Sequence, residues 1–263
     1  MRSILLFADR SPAMAARLET ALSLARAYNG HLSVLIDTPV ARFMSVDAMG
    51  DSYIAADAIR EALERDDAYA AELKARLTRE DVPFDIMRAE EEPVEALLEC
   101  ARLADLLVLS HGCDFAGEVA LSAHTPVLLV PSASGAGGVT LPIERACVAW
   151  DGGDAAASAL RAAVPLLSRA GEVHLLAVAE KTGGYPPTEA LAYLSRHEVK
   201  AEFHEEARVG STEETLAAMV ARQHGQLLVM GAYGRSRMRE FLFGGVTRYF
   251  LSEPGAPALL LAH

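Results

Sequence analysis

Two stretches decide how this chain is read: Ile4-Leu5-Leu6-Phe7-Ala8-Asp9 and Ala146-Cys147-Val148-Ala149-Trp150-Asp151. Each is a short apolar run ending in aspartate. Each leads into an alanine-rich helical stretch, Ala13–Tyr28 in one case and Ala155–Ala170 in the other. Both stretches run on to a glycine, Gly30 and Gly171, the residue that best tolerates a left-handed helix cap. A second apolar run follows, His31–Ile36 and Glu172–Val178. Further along, Asp105–Ser110 parallels Gln226–Gly231, and Thr125–Val130 parallels Ala256–Leu261. Self-similarity on this scale reads as a duplication.

Continuous apolar strands alternating with helices indicate a parallel sheet covered on both faces. Each half reads as β-α-β-α-β-α-β-α-β. Helices are expected at Asp57–Arg79 and Pro187–His197, and third strands near Pro83–Ala89 and Val199–Ala207. The helices Pro93–Leu103 and Ser211–His224 come next, the second opening on a capping box of Ser211 and Glu214. The expectation is an α/β protein of two tandem, doubly wound, five-stranded parallel-sheet domains. Residues 1–131 and 143–263 form them, and 132–142 is a linker that includes the small-residue run Ser132–Gly138.

Bulk composition excludes several classes. A 263-residue chain with 51% hydrophobic and 23% charged residues has ample material for a core. Its formal net charge of −12 opposes a nucleic-acid partner, whose phosphates need a basic face. Three cysteines, Cys100, Cys113 and Cys147, show no C-x-x-C spacing and read as buried small apolar residues of a reduced cytoplasm. The apolar runs are only about five to eight residues long, too short for a membrane span, and the N-terminus lacks a signal-peptide pattern. A soluble, cytoplasmic protein is expected. The histidines, among them His111, His124, His197 and His204, show no metal-ligand spacing, so no metal site is expected.

The halves differ in where they carry extra length. The first is longer between its second and fourth strands; the second is longer after its fourth, in Gly231–Thr247. That segment reads G-x2-G-x9-G-G-V-T and runs from a strand end to the helix Val246–Leu251. In an open α/β sheet the ligand crevice lies beyond the strands' carboxyl ends at the topological switch point. Glycines let backbone approach a ligand closely, and the unpaired N–H groups of a helix start favour an anion. Gly244 and Gly245 would sit at that start, Thr247 could add a hydroxyl, and Asp151 lies across the crevice. In the first half Ser110-His111-Gly112-Cys113-Asp114-Phe115-Ala116-Gly117 loses the spacing, and Asp114 and Glu118 would repel a triphosphate.

These residues resemble the universal stress protein family, in two consecutive copies covering nearly the whole chain. The resemblance implies an adenine-nucleotide α-hydrolase-like, Rossmann-like fold. ATP-binding members carry G-x2-G-x9-G followed by serine or threonine. Gly231, Gly234 and Gly244 match the glycines, whereas Gly245 replaces the hydroxyl residue. One neutral hydrogen bond, on the order of 0.5–1.5 kcal/mol, is thereby lost. The resemblance implies nucleoside contacts by Asp151 with Ala149 and Trp150 beside it, and adenine contacts at Val178 and Met230. Phosphate contacts fall to Gly231, Gly234, Gly244, Gly245, Val246 and Thr247. It implies ATP, or AMP or ADP, with Mg2+ held mainly by phosphate oxygens and water. It also implies pairing of the final strands, here Thr125–Val130 with Ala256–Leu261, as a pseudo-two-fold dimer within one chain, with further homodimerisation left open.

Other readings stand beside these. The loop is alternatively a tight structural turn, Asp151 a helix cap, Trp150 a packing residue, and Arg235, Arg237 and Arg239 a solvated charge run. The preferred function is stress-related sensing or sequestration of ATP. A nucleotide-independent interaction scaffold is the alternative, and a slow ATPase or autokinase the weaker one, since no catalytic base can be named.

Overall fold

The computed structural model describes residues 1–46, 52–131, 141–179, 184–232, 244–253 and 255–263. The segment 132–140, most of the expected linker, lies outside the described residues. The first half contains β1 (Ser3–Phe7), α1 (Met14–Tyr28), β2 (His31–Asp37), β3 (Met44–Val46), β4 (Ser52–Ile54) and α2 (Ala56–Leu77). It continues with β5 (Phe84–Ala89), α3 (Pro93–Cys100), β6 (Leu106–Ser110), α4 (Ala116–Ser122) and β7 (Val127–Val130). The second half contains β8 (Arg145–Ala149), α5 (Asp154–Leu167), β9 (Glu172–Ala179), α6 (Pro187–Arg196) and β10 (Ala201–Ala207). It ends with α7 (Thr212–Arg222), β11 (Leu227–Gly231), α8 (Gly245–Ser252) and β12 (Ala258–Ala262).

Ten strands make one sheet in the order β10-β9-β8-β11-β12-β7-β6-β1-β2-β5. Within this sheet every pair inside a half is parallel. The halves meet through an antiparallel β7–β12 pair, with Leu259 opposite Leu129, Leu260 opposite Leu128 and Leu261 opposite Val127. Two five-stranded sheets thus become one, and neither apolar final strand is left as an exposed edge. In each half the chain winds outward one way and then the other, so the order reverses between β1 and β6 and between β8 and β11.

Alternation along the strands builds two cores. Ile4, Leu6, Val34, Val148, Leu175, Val229 and Leu260 face α1, α2, α5 and α6. Leu5, Leu35, Leu107, Cys147, Leu228 and Leu259 face α3, α4, α7 and α8. Both clusters run across the β7–β12 seam, where fully buried leucines each contribute about 1.5–3 kcal/mol. The seam is also tied at its helices. The Tyr28 hydroxyl donates to the Pro165 carbonyl, the Arg169 guanidinium lies 5.0 Å from the Tyr28 ring, and the Leu141 N–H donates to Ser23 Oγ at 3.0 Å. Burial pushes the Tyr28 phenol up to about 12.

Two expectations change in detail. The left-handed residue ending α1 is Asn29 (φ 48°), and α5 ends through right-handed Ser168, so neither Gly30 nor Gly171 caps a helix. Their task is close approach: a Cβ on Gly30 would lie 2.8 Å from the Arg2 carbonyl oxygen, and one on Gly171 2.9 Å from that of Glu144. Both positions need glycine because the next strand begins against the first. The extra length of the first half is taken up by the antiparallel β3–β4 pair and by α2, 22 residues against 10 for α6. The capping box forms as expected, with the Glu214 N–H donating to Ser211 Oγ at 3.2 Å and the Ser211 N–H to Glu214 Oε2 at 3.0 Å.

Candidate functional site

The crevice of the second half opens where β8 gives way to α5. The Trp150 N–H donates to the Leu176 carbonyl at 2.8 Å, and its indole Nε1 donates to the Tyr185 carbonyl at 3.0 Å. Trp150 is 6% exposed, so most of the ring is packing. Asp151 Oδ1 accepts the Gly153 N–H at 2.8 Å, which fixes the turn while the carboxylate stays exposed. Gly152 sits at φ +72°, and a Cβ there would meet the Tyr185 nitrogen at 2.5 Å. The Tyr185 N–H donates to the Gly152 carbonyl at 2.9 Å, pinning residues 184–187 as a wall beside the turn.

The opposite wall comes from β11 and α8. A Cβ on Gly231 would lie 2.6 Å from backbone atoms of Ala155 and Ala156, so glycine is what lets β11 end against the first turn of α5. Gly244 is the N-cap of α8, in extended conformation, and the Arg248 N–H donates to its carbonyl at 3.0 Å. The N–H groups of Gly245, Val246 and Thr247 precede that bond, so the helix itself supplies them no acceptor. Among the described residues, nothing lies within 4 Å of where a Cβ on Gly244 would stand.

These walls enclose a cavity of about 490 Å³, within the range of small-molecule sites. Ala149, Trp150, Asp151, Val178, Met230, Gly231, Gly244, Gly245, Val246 and Thr247 all line it. Gly234 lies outside the described residues, as do Arg235, Arg237 and Arg239. Sequence reasoning missed the Gly184–Pro187 wall, Glu205, Thr212 and Glu213. The Gly152-Gly153 pair and the Tyr-Pro-Pro run were the available signals for the wall. Nothing local marked the acidic residues, which arrive from β10 and α7. Among the described lining residues the charged ones are Asp151, Glu205 and Glu213, all acidic.

The corresponding crevice of the first half is filled by its own side chains. Counting from Asp9 and Asp151, Phe7 stands where Ala149 does, Met14 where Ala156 does and Arg17 where Ala159 does. Strand register likewise places Ser110 at the position of Gly231 and Asp37 at that of Val178. Arg17 is fully buried; its Nη2 donates to Asp9 Oδ1 at 2.6 Å and lies 3.4 Å from Met14 Sδ. Phe7 packs edge-on against Phe115 at 5.4 Å, with the Arg17 guanidinium 6.0 Å from the Phe7 ring. Asp9 also accepts from the Ser11 N–H and hydroxyl at 3.0 and 2.6 Å. Burial alone would raise its carboxyl, but Arg17 and the Ser11 bonds outweigh it and hold it below the ordinary value. Burial pushes Asp37 up to about 6, against a smaller opposing pull from Arg42. Asp66 beside it accepts from Thr38 and Arg10. Glu118, expected to repel phosphate here, instead borders a groove between α3 and α4. Filled space, more than negative charge, distinguishes this crevice.

The cysteines are free, and burial raises the thiols of Cys100, Cys113 (to about 11) and Cys147 (to about 12), which leaves them poor nucleophiles. No helix among the described residues is long and apolar enough to cross a membrane.

Residues 142–261 match the model of the universal stress protein family. No curated protein matches the sequence. A universal stress protein from Archaeoglobus fulgidus DSM 4304 superposes with a TM-score of 0.72 at 16% identity, covering 99% of this chain and 96% of that one. A functionally unknown protein from Pseudomonas aeruginosa PAO1 gives 0.65 at 16% identity, covering 100% and 92%. A putative universal stress protein from Pseudomonas aeruginosa UCBPP-PA14 gives 0.61 at 15%, covering 100% and 93%. At these identities the likeness establishes the fold, and it does so for the whole tandem arrangement.

Proposed function

With residues 142–261 identified as a domain of the universal stress protein family, we propose that its cavity binds an adenine nucleotide, ATP foremost, in a stress-related sensing or regulatory role. The functional units are then residues 1–131, a partner domain without a ligand, and residues 143–263, the binding domain. One observation carries the reading: the N–H groups at the start of α8, which have no acceptor within the helix, border the same cavity as Asp151 and the ends of β9 and β11. The phosphates lie on Gly231, Gly244, Gly245, Val246 and Thr247, with Gly234 completing the loop. Adenosine lies near Ala149, Trp150, Asp151, Val178 and Met230. Because Asp151, Glu205 and Glu213 make the described lining acidic, a triphosphate enters best as its Mg2+ complex, the cation held mainly by phosphate oxygens and water.

The test combines mass spectrometry of small molecules released on denaturation with titration of ATP, with and without Mg2+. Gly244→Glu is the discriminating variant. Gly244 has φ −60° and no described residue within 4 Å of its Cβ position, so the chain should fold normally. The new carboxylate should weaken ATP binding on the order of 100-fold by like-charge repulsion at the phosphates. No released nucleotide and no titration signal from folded protein would remove this reading. The second reading, a nucleotide-independent interaction scaffold, would then stand; the missing hydroxyl at Gly245 and the acidic lining favour it.

A further inference from the structure

We propose that His174, Glu202 and His204 form a binding site for a divalent transition-metal ion of the zinc class, with a fourth position open to water. The site is independent of the nucleotide cavity. His174 is the third residue of β9, and Glu202 and His204 lie on the neighbouring β10, the edge strand of the sheet. In the parallel register Glu202 stands beside His174. Since side chains alternate along a strand, His204 shares their face while Glu205, which lines the cavity, points the other way.

Three donor atoms converge. His174 Nδ1 and His204 Nε2 share a hydrogen bond at 3.1 Å, and Glu202 Oε2 lies 3.9 Å from each of those nitrogens. With zinc–nitrogen and zinc–oxygen distances of about 2.0–2.1 Å, tetrahedral ligand atoms stand about 3.3 Å apart. The observed triangle therefore accepts an ion once Glu202 closes by roughly half an ångström. Two imidazoles and one carboxylate are a donor set suited to zinc, which tolerates mixed nitrogen and oxygen ligands.

A second observation points the same way. His174 is 5% exposed and its other nitrogen, Nε2, is buried without a hydrogen-bond partner. An imidazole that ligates through Nδ1 carries its proton on Nε2 and needs an acceptor there. The Glu172 carboxylate lies 3.8 Å from that atom. It is held by the Arg145 guanidinium at 2.9 Å. Ligand and carboxylate thus neighbour each other on β9, and a small side-chain shift brings them within hydrogen-bond distance. His204 is half-buried and Glu202 largely exposed, which leaves the outer side open to water.

The experiment uses the untagged full chain, stripped with chelator and desalted. Zn2+ is titrated in competition with a chromophoric chelator, and Co2+ is added as a spectroscopic probe. The expected result is one tight equivalent of Zn2+ and a Co2+ visible spectrum showing imidazole coordination. His204→Ala should weaken that equivalent on the order of 100-fold, and Glu172→Gln about tenfold as the supporting carboxylate. Both positions are solvent-accessible, and circular dichroism with thermal melts verifies that each variant folds. No Zn2+ binding in the micromolar range overturns the proposal. So does a bound equivalent that survives His204→Ala unchanged.

Discussion

The two crevices of this chain share a plan and differ in what fills them. Each lies beyond an aspartate at the end of a first strand, at the point where the strand order reverses. In the second half Ala149 and Ala156 line a cavity of about 490 Å³, with buried Ala159 further along α5. In the first half Phe7, Met14 and Arg17 occupy the same positions, and Asp9 is committed to Arg17 and Ser11. The difference teaches that two copies of one fold can differ at the same crevice through side-chain packing. Phe7, Met14 and Arg17 fill the space that Ala149, Ala156 and Ala159 leave at the matching positions. The retained aspartate then changes from an exposed group into half of an ion pair.

Four substitutions break or sharpen this comparison. The largest effect is expected from Arg17→Ala, which deprives Asp9 of its cation and leaves a hole in the first half. A loss of about 3 kcal/mol is expected, seen as a fall in melting temperature of roughly 6–12 °C. A fall below about 2 °C would show that the plug contributes little. The part of the stability that comes from the lowered Asp9 carboxyl is present above its ordinary pKa. It is lost as pH falls through the depressed folded-state value.

Ala149→Phe is the converse experiment, since it gives the second crevice the residue that the first already tolerates. ATP affinity should drop by about 100-fold, roughly 2.7 kcal/mol, while the melting temperature stays within about 3 °C of the parent. Unchanged affinity in a folded variant would mean that the cavity floor is not where the nucleotide lies.

Gly231→Ala tests the backbone difference. Its Cβ would fall 2.6 Å from the start of α5, whereas the first half carries Ser110 at that place. About 2 kcal/mol of destabilisation is expected from overpacking, measurable by urea titration. A neutral outcome would show that β11 and α5 can separate freely.

The smallest effect is expected from Asp37→Asn. Burial raises this carboxyl to about 6, so the folded state holds its proton more tightly than the unfolded chain. Stability contributed by the protonated form is therefore present below about pH 4 and is lost as pH rises through about 6. The variant should flatten that slope and gain on the order of 1 kcal/mol at pH 7. A parallel shift at every pH would refute the burial argument.

The duplication, the α/β class and the order of elements were legible because they rest on local periodicity. Runs such as Ile4–Asp9 and Ala146–Asp151 cannot be buried on both faces except as central parallel strands. Ten of the 23 residues lining the cavity were legible too, through strand ends and the glycine pattern. The plug was not, because Arg17 reads as one exposed arginine in a helix until Asp9 is brought against it. The left-handed caps failed at Gly30 and Gly171 because their task is set by Arg2 and Glu144, far away in sequence. The histidine pair went unseen for a similar reason. Glu202-x-His204 places two donors on one face of a strand, but His174 joins them only through the register of β9 on β10.

The sequence by itself determined the repeated unit, the alternation of strand and helix, and the position of the glycine segment, since all follow from nearest-neighbour chemistry and periodicity. The tertiary structure alone decided that the two sheets fuse through β7 and β12, that one crevice is open while the other is filled, and that two imidazoles and a carboxylate converge on β9 and the edge strand β10. These depend on side-chain volume and strand register between residues far apart in the chain. Such distances are set only when the whole sheet closes its core.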